Sequence, residues 1–272
     1  MKSIKYLFVL GLFLCITAAG WLFYPQYQIH KLKSQTVEVN TDPNKVSFLN
    51  YFRHEKGRQI YHLAIGDSII HGIGAEQHKD LVYQFSNKLA LQTQKRILFQ
   101  NEGINGITSS ELNSLVQSGR FDVEIKKSDI ITINVGGNDI LHIVNNSNIY
   151  NAIQKFDQLE SNFSNNLSGM AARIHQLNPK ATIVFLELYN PLSPSDQFYS
   201  IADKLLPKWN LNIYEVANRY SSSIVVETTK VINGEKLKNL SSDGVHPNSA
   251  GYTAISEQMI YQFKHQYRKE SV

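Results

Sequence analysis

An alternation constrains what this chain can fold into more than any other feature. Five short apolar runs, "IYHLAIG" (60–66), "RILFQNEG" (96–103), "DIITINVG" (129–136), "ATIVFLEL" (181–188) and "SIVVETT" (223–229), are separated by stretches with helical spacing. Runs of this length, bounded by glycine or turn residues, suit strands buried on both faces of a parallel sheet. Between the third and fourth runs, apolar residues at 153, 156, 159, 163, 167, 170, 174 and 177 step by three and four. Those steps define one face of a long helix, which Pro179 ends. The last stretch repeats the pattern through Ile255, Met259 and Phe263. The alternation predicts a three-layer α/β/α sandwich around a central five-stranded parallel sheet. Any site should then open at the carboxyl ends of the strands.

Composition narrows the class. With 272 residues, 42% of them hydrophobic, the chain can bury a full-sized core. The charged fraction, 18%, is mixed in sign and suits neither a disordered chain nor a nucleic-acid binder. Two charges of the +4 net balance come from Lys2 and Lys5, and the remainder is close to neutral. Those lysines precede an uncharged run, Tyr6–Ile29, whose apolar part is Tyr6–Tyr24. About 20 apolar residues cross a bilayer, whereas a cleavable signal usually has roughly 7–15. Residues 6–24 are therefore read as a membrane anchor, with small residues at Ala18 and Ala19 keeping a cleaved signal open. The lysines should remain cytoplasmic, which puts the rest of the chain outside the cell. Cys15, the only cysteine, lies in this run and follows Leu14 rather than a small residue, so a lipid-modified cysteine is not indicated. The exported part has no thiol chemistry. The expected organisation is an anchor or signal over 1–29, a polar linker or stalk over 30–58 with one short helix near "VSFLNYF", and a catalytic domain over 59–272.

Three polar, glycine-bearing loops should meet at the strand ends: Asp67 and Ser68 after the first run, Gly103 after the second, and Gly136 to Asp139 after the third. A serine hydroxyl is a poor nucleophile unless a base takes its proton. Of nine histidines, His246 stands in "LSSDGVHPNSAGY" (240–252), three residues after Asp243 and just before the final helix. That spacing lets a carboxylate accept from one imidazole nitrogen while the other faces outward. Asn138 in "VGGNDI" can aim a side-chain N–H at the rim, and Gly103 in "NEGINGIT" can offer a backbone N–H, both suited to an oxyanion.

These four segments resemble, in order and spacing, the conserved blocks of the SGNH hydrolases, also called the GDSL esterase/lipase family. Gly66-Asp67-Ser68 resembles the first block, Gly103 the second, "GGND" the third and "DGVHP" the fifth, over roughly residues 60–265. Ile69 stands where the family's nickname has leucine. The resemblance implies the family's flavodoxin-like sandwich, with Ser68 as nucleophile, His246 as base and Asp243 as its orienting partner. It also implies an oxyanion hole made by the Ser68 and Gly103 amides and the Asn138 side chain, and no cofactor or metal. The general layout resembles the bacterial lipase/acylhydrolase branch. An α/β-hydrolase elbow fails here, because Ile70 stands two residues after Ser68, and a dinucleotide fingerprint fails at Gln77.

Two rival chemistries use the same residues. Asp67, Asn138, Asp139, Asp243 and His246 could ligate a metal in a phosphoesterase. An acyl or acetyl transferase would use the same triad with an alcohol in place of water. For the substrate, the stretch 188–209 follows the fourth run and is rich in apolar residues. Tyr189, Leu192, Phe198 and Tyr199 are its candidate contacts to an acyl chain. The expected substrate is a small ester, a lipid or an acylated glycan or wall polymer.

Overall fold

The computed structural model describes Thr17, Gly20 and residues 22–34, 46–55, 57–146 and 149–268. Five parallel strands, β1 (Gln59–Gly66), β2 (Arg96–Gly103), β3 (Ile130–Asn134), β4 (Thr182–Leu186) and β5 (Ser223–Val226), form one sheet in the order β2-β1-β3-β4-β5. Burial explains the apolar runs of β1, β3, β4 and β5, but β2, expected to be buried on both faces, is an edge strand with no buried residue. Every residue of β3 and β4 is buried, and successive side chains alternate between two cores. Leu63, Ile65, Ile183 and Phe185 join one cluster; Ala64, Val184 and Leu186 join the other.

On the first face lie α5 (Ser109–Gln117), α6 (Asp122–Lys127), α8 (Ile149–Leu177) and α9 (Tyr199–Asn218). The predicted stripe on α8 is the buried one: Phe163, Leu167, Met170 and Ile174 all face the sheet. On the second face lie α2 (Phe48–His54), α4 (Leu81–Thr93) and α10 (Ser249–His265). The short helices α3 (Ser68–His71) and α7 (Gly137–Asn146) follow β1 and β3 directly.

Helix α2 is the short helix expected near "VSFLNYF", and its Phe48, Leu49 and Phe52 are buried. Residues 22–34 are also helical (α1), with Pro25 and Ile29 buried. The predicted membrane segment, 6–24, lies outside the described residues apart from Thr17, Gly20 and 22–24. Among the described residues no helix is long and apolar enough to cross a membrane.

The strand order positions the site. From β1 the chain moves one way to β2 and the other way to β3, so the loops leaving β1 and β3 diverge and open a crevice at their carboxyl ends. Ser68 follows β1 and Asn138 follows β3, so both sit at this switch point.

Candidate active site

Local backbone chemistry fixes Ser68 first. Gly66 closes β1 with φ +156°, and a Cβ there would lie 2.1 Å from the Asn134 carbonyl oxygen, so no side chain fits. Asp67 caps α3 by accepting from the Ile69 N–H at 2.9 Å. Ser68 is thereby the first residue of a helix, where its own N–H precedes the intrahelical bonding. Gly103 is the register partner of Gly66, and a Cβ on it would lie 2.1 Å from the His71 nitrogen. The two glycines let β2 and α3 approach closely.

His246 reaches the serine from the other side of the crevice. Its Nε2 lies 2.8 Å from Ser68 Oγ, and its Nδ1 lies 2.7 Å from Asp243 Oδ2. The other oxygen of Asp243 accepts from the Ser241 hydroxyl (2.8 Å) and from the Val245 and His246 amides (2.8 and 3.0 Å). Burial raises the Asp243 carboxyl, but these donors together outweigh it and hold its pKa well below the usual carboxylate range. Asp243 is thus a fixed negative charge that orients the imidazole. Asn248 caps the helix that follows, accepting from the Gly251 N–H at 2.9 Å.

The two further donors are positioned but partly engaged. Asn138 donates one N–H to the Ile107 carbonyl at 2.9 Å, which fixes the amide and leaves its second N–H for a ligand. The Gly103 N–H donates to Asn101 Oδ1 at 2.9 Å, and Asn101 in turn donates to the Ile70 carbonyl. Any oxyanion at Gly103 must therefore compete with Asn101, a partner that spacing alone did not reveal.

Asp67 and Asp139, which the metal alternative would use as ligands, have their own hydrogen-bond partners. Asp139 accepts from both the N–H (2.9 Å) and the hydroxyl (2.6 Å) of Ser109, the first residue of α5. With Asn138 gripping Ile107, consecutive residues of α7 clamp the loop that carries Gly103. Asn166 of α8 extends the network to Ser109 at 3.0 Å. Burial pushes Asp67 up to about 7, with the Ile69 bond opposing and the Asp139 charge adding. Burial also raises Asp139, against its bonds from Ser109.

The expected substrate contacts divide. The Tyr189 hydroxyl donates to the Val245 carbonyl at 2.8 Å, bracing the loop that carries Asp243 and His246. Burial raises this tyrosine well above its usual value, and Tyr252, Asp67 and Asp243 add to the shift. Leu192 and Tyr199 are half-buried and close over Gly234, where a Cβ would meet the Leu192 carbonyl oxygen at 2.5 Å and Tyr199 Cε2 at 2.8 Å. Phe198 is exposed at the start of α9. Two apolar side chains that sequence reasoning passed over, Ile104 and Leu141, are exposed on the segments carrying Gly103 and Asn138. Their signal was an apolar residue directly after, or one helical turn after, a predicted donor. Among the described residues no group of three or more His, Cys, Asp or Glu side chains is arranged to hold a metal ion.

A serine, a histidine and a carboxylate in line at the switch point of a parallel sheet belong to the chemistry of acyl hydrolases. Within that class the chain belongs to the GDSL-like Lipase/Acylhydrolase family, which it matches over residues 64–254, and it is an ester-hydrolysing enzyme. It is similar to the spore germination lipase LipC of Bacillus licheniformis, 27% identical over 205 residues, which cover 74% of this chain and 94% of that protein. The uncharacterized protein YpmR of Bacillus subtilis is 22% identical over 202 residues, covering 73% of this chain and 79% of its own. Among solved structures, the lipase Lip_vut3 from a goat rumen metagenome superposes with a TM-score of 0.65 at 27% identity, over 75% of this chain and 98% of that one.

Proposed function

We propose that Ser68 is the nucleophile of an exported, membrane-anchored acylhydrolase acting on lipid or acylated-polymer esters. The reading rests chiefly on one observation: the unbroken line from Ser68 Oγ through the His246 ring to Asp243, at 2.8 and 2.7 Å. His246 takes the serine proton as Oγ attacks the ester carbonyl. The oxyanion forms against the Ser68 amide, the Gly103 amide and the Asn138 side chain. His246 then protonates the departing alcohol, and water, activated by the same imidazole, releases the acid. The relatives named lipases favour a lipid ester over a carbohydrate ester. The uncharged run 6–24 behind Lys2 and Lys5 supports anchorage with the catalytic domain outside.

Hydrolysis of p-nitrophenyl acetate, butyrate and octanoate by the detergent-solubilised chain tests this, for wild type and Ser68→Ala, with and without EDTA. Activity should survive EDTA and fall by about 10⁴-fold or more in Ser68→Ala. Activity lost to EDTA but kept in Ser68→Ala overturns the serine mechanism. Transfer of the acyl group to an added alcohol faster than to water reassigns the enzyme as a transferase on the same residues.

A further inference from the structure

The stretch between the predicted membrane span and the domain core is short enough to measure residue by residue. The apolar run ends at Tyr24, and the next residue, Pro25, is already buried. Ile29 and Leu32 follow at spacings of four and three, so one stripe of α1 packs on the domain. Leu32 shares a crevice with Tyr214, Ala217 and Val225. One residue further on, Lys33 Nζ lies 2.5 Å from Glu227 Oε1 and 3.3 Å from Glu187 Oε1, and 5.1 Å from the centre of the Tyr214 ring. Both carboxylates lie at the carboxyl ends of adjacent strands and are almost wholly buried. Glu227 also pairs with Lys230 at 2.6 Å, but among the described residues Lys33 is the one cation within ion-pair distance of the buried Glu187. Its removal would leave that charge without a counter-ion, so α1 is latched rather than leaning.

The other side of α1 is the opposite in character. Phe23, Tyr24 and Tyr27 are 65%, 55% and 63% exposed, and they line a shallow groove with Glu160, Lys208 and Leu211. Large aromatic side chains left in water beside an apolar run suit a membrane–water boundary, where one end of the ring is apolar and the other wet. The stretch expected as a stalk begins at residue 30, inside α1 and after Pro25 and Ile29 have already packed on the domain, so it does not separate membrane from domain.

We propose that the catalytic domain seats directly on the lipid surface through the α1 face that carries Phe23, Tyr24 and Tyr27. The proposal rests on residues 6–24 lying in the membrane, and its content is the contact itself: a domain held flush by a docked helix instead of swinging on a tether. A lipid substrate then reaches an enzyme of fixed orientation.

The test uses the full chain with Cys15→Ser, reconstituted in vesicles of phosphatidylethanolamine and phosphatidylglycerol. Single cysteines at Tyr27→Cys and, as a reference, Leu91→Cys carry an environment-sensitive fluorophore. Leu91 is 80% exposed on α4, across the sheet from α9. Activity on p-nitrophenyl acetate reports that each labelled chain is folded. The label at 27 should be quenched by headgroup-proximal spin-labelled lipid and shielded several-fold from aqueous iodide, while the label at 91 shows neither effect. Equal iodide access at both positions, in chain that an alkaline carbonate wash leaves in the vesicles, overturns the seating while sparing the anchor. Release by the wash overturns the anchor and the seating with it. Self-quenching at 27 that grows with protein density, without lipid quenching, assigns the aromatic face to a second copy of the chain.

Discussion

Among the described residues two histidines are hydrogen-bonded to a serine, and their surroundings differ in the one respect that matters for chemistry. His62, on β1, lies 2.9 Å from Ser86 Oγ through Nδ1 and 2.9 Å from Thr132 Oγ1 through Nε2. It is buried against Phe85, and burial lowers its pKa to about 3. Held neutral between two hydroxyls, it fills the core and satisfies polar groups that the sheet would otherwise strand. His246 has a serine on one side but a carboxylate on the other, and it stands at the strand ends beside a crevice. A serine–histidine contact is therefore a packing motif until a fixed negative charge and an approach for substrate are added. His246 has that carboxylate at 2.7 Å, and the core offers His62 nothing comparable.

The comparison can be broken or sharpened by substitution. The largest effect after loss of Ser68 itself is expected from Asp243→Asn, which keeps the shape but removes the charge and favours the wrong tautomer. It should lower kcat on p-nitrophenyl butyrate by about 10⁴-fold. A near-normal kcat in that variant would erase the distinction between the two histidines. Asn138→Ala removes one donor and should cost about 10²–10³ in kcat with KM little changed. A change confined to KM would show that Asn138 only binds substrate. Ser86→Ala should do the reverse, lowering the thermal midpoint by the equivalent of about 1–3 kcal/mol while kcat/KM holds, because a buried imidazole nitrogen loses its partner. The same site sets a pH slope. The folded pKa of His62 lies below its unfolded value, so its contribution is complete above about pH 6.5 and is lost as pH falls towards 3. A melting temperature measured across that window should decline on the acid side.

Much of the fold was legible because strand burial and helix periodicity are properties of neighbouring residues. The apolar runs ending at Gly66 and Gly103 coincide with β1 and β2, and the stripe through Phe163 and Ile174 is the buried face of α8. The Ser68, Asp243 and His246 grouping was legible through the resemblance of "GDS" and "DGVHP" to the family's blocks, since nine histidines on their own leave many pairings open. What escaped has a common cause, since it depends on a partner far away in sequence. Tyr189 looked like an apolar contact, yet its hydroxyl meets Val245, 56 residues on. Gly103 looked like a free donor until Asn101 folded back on it. The stripe Pro25, Ile29 and Leu32 is too short to mark a docked helix in sequence, and only the facing Glu187 and Glu227 explain why Lys33 stands where it does. Trp209, at the end of the apolar stretch 188–209, stacks on Phe163 at 4.7 Å from the middle of α9 and belongs to the core.

The pairing of β1 with β2 runs unbroken from Gln59–Arg96 to Gly66–Gly103, and it works as a ruler. One residue inserted into either strand would advance the far end by about 3.3 Å and exchange its faces. A residue with a side chain would then occupy the slot beside His71, for β2, or beside the Asn134 carbonyl, for β1, and even a Cβ would clash in either. An insertion in the turn at Gln94 and Lys95, ahead of the first pair, leaves every rung in place. Length variation in this domain is thus confined by geometry: free around these two strands, forbidden between their first and last rungs.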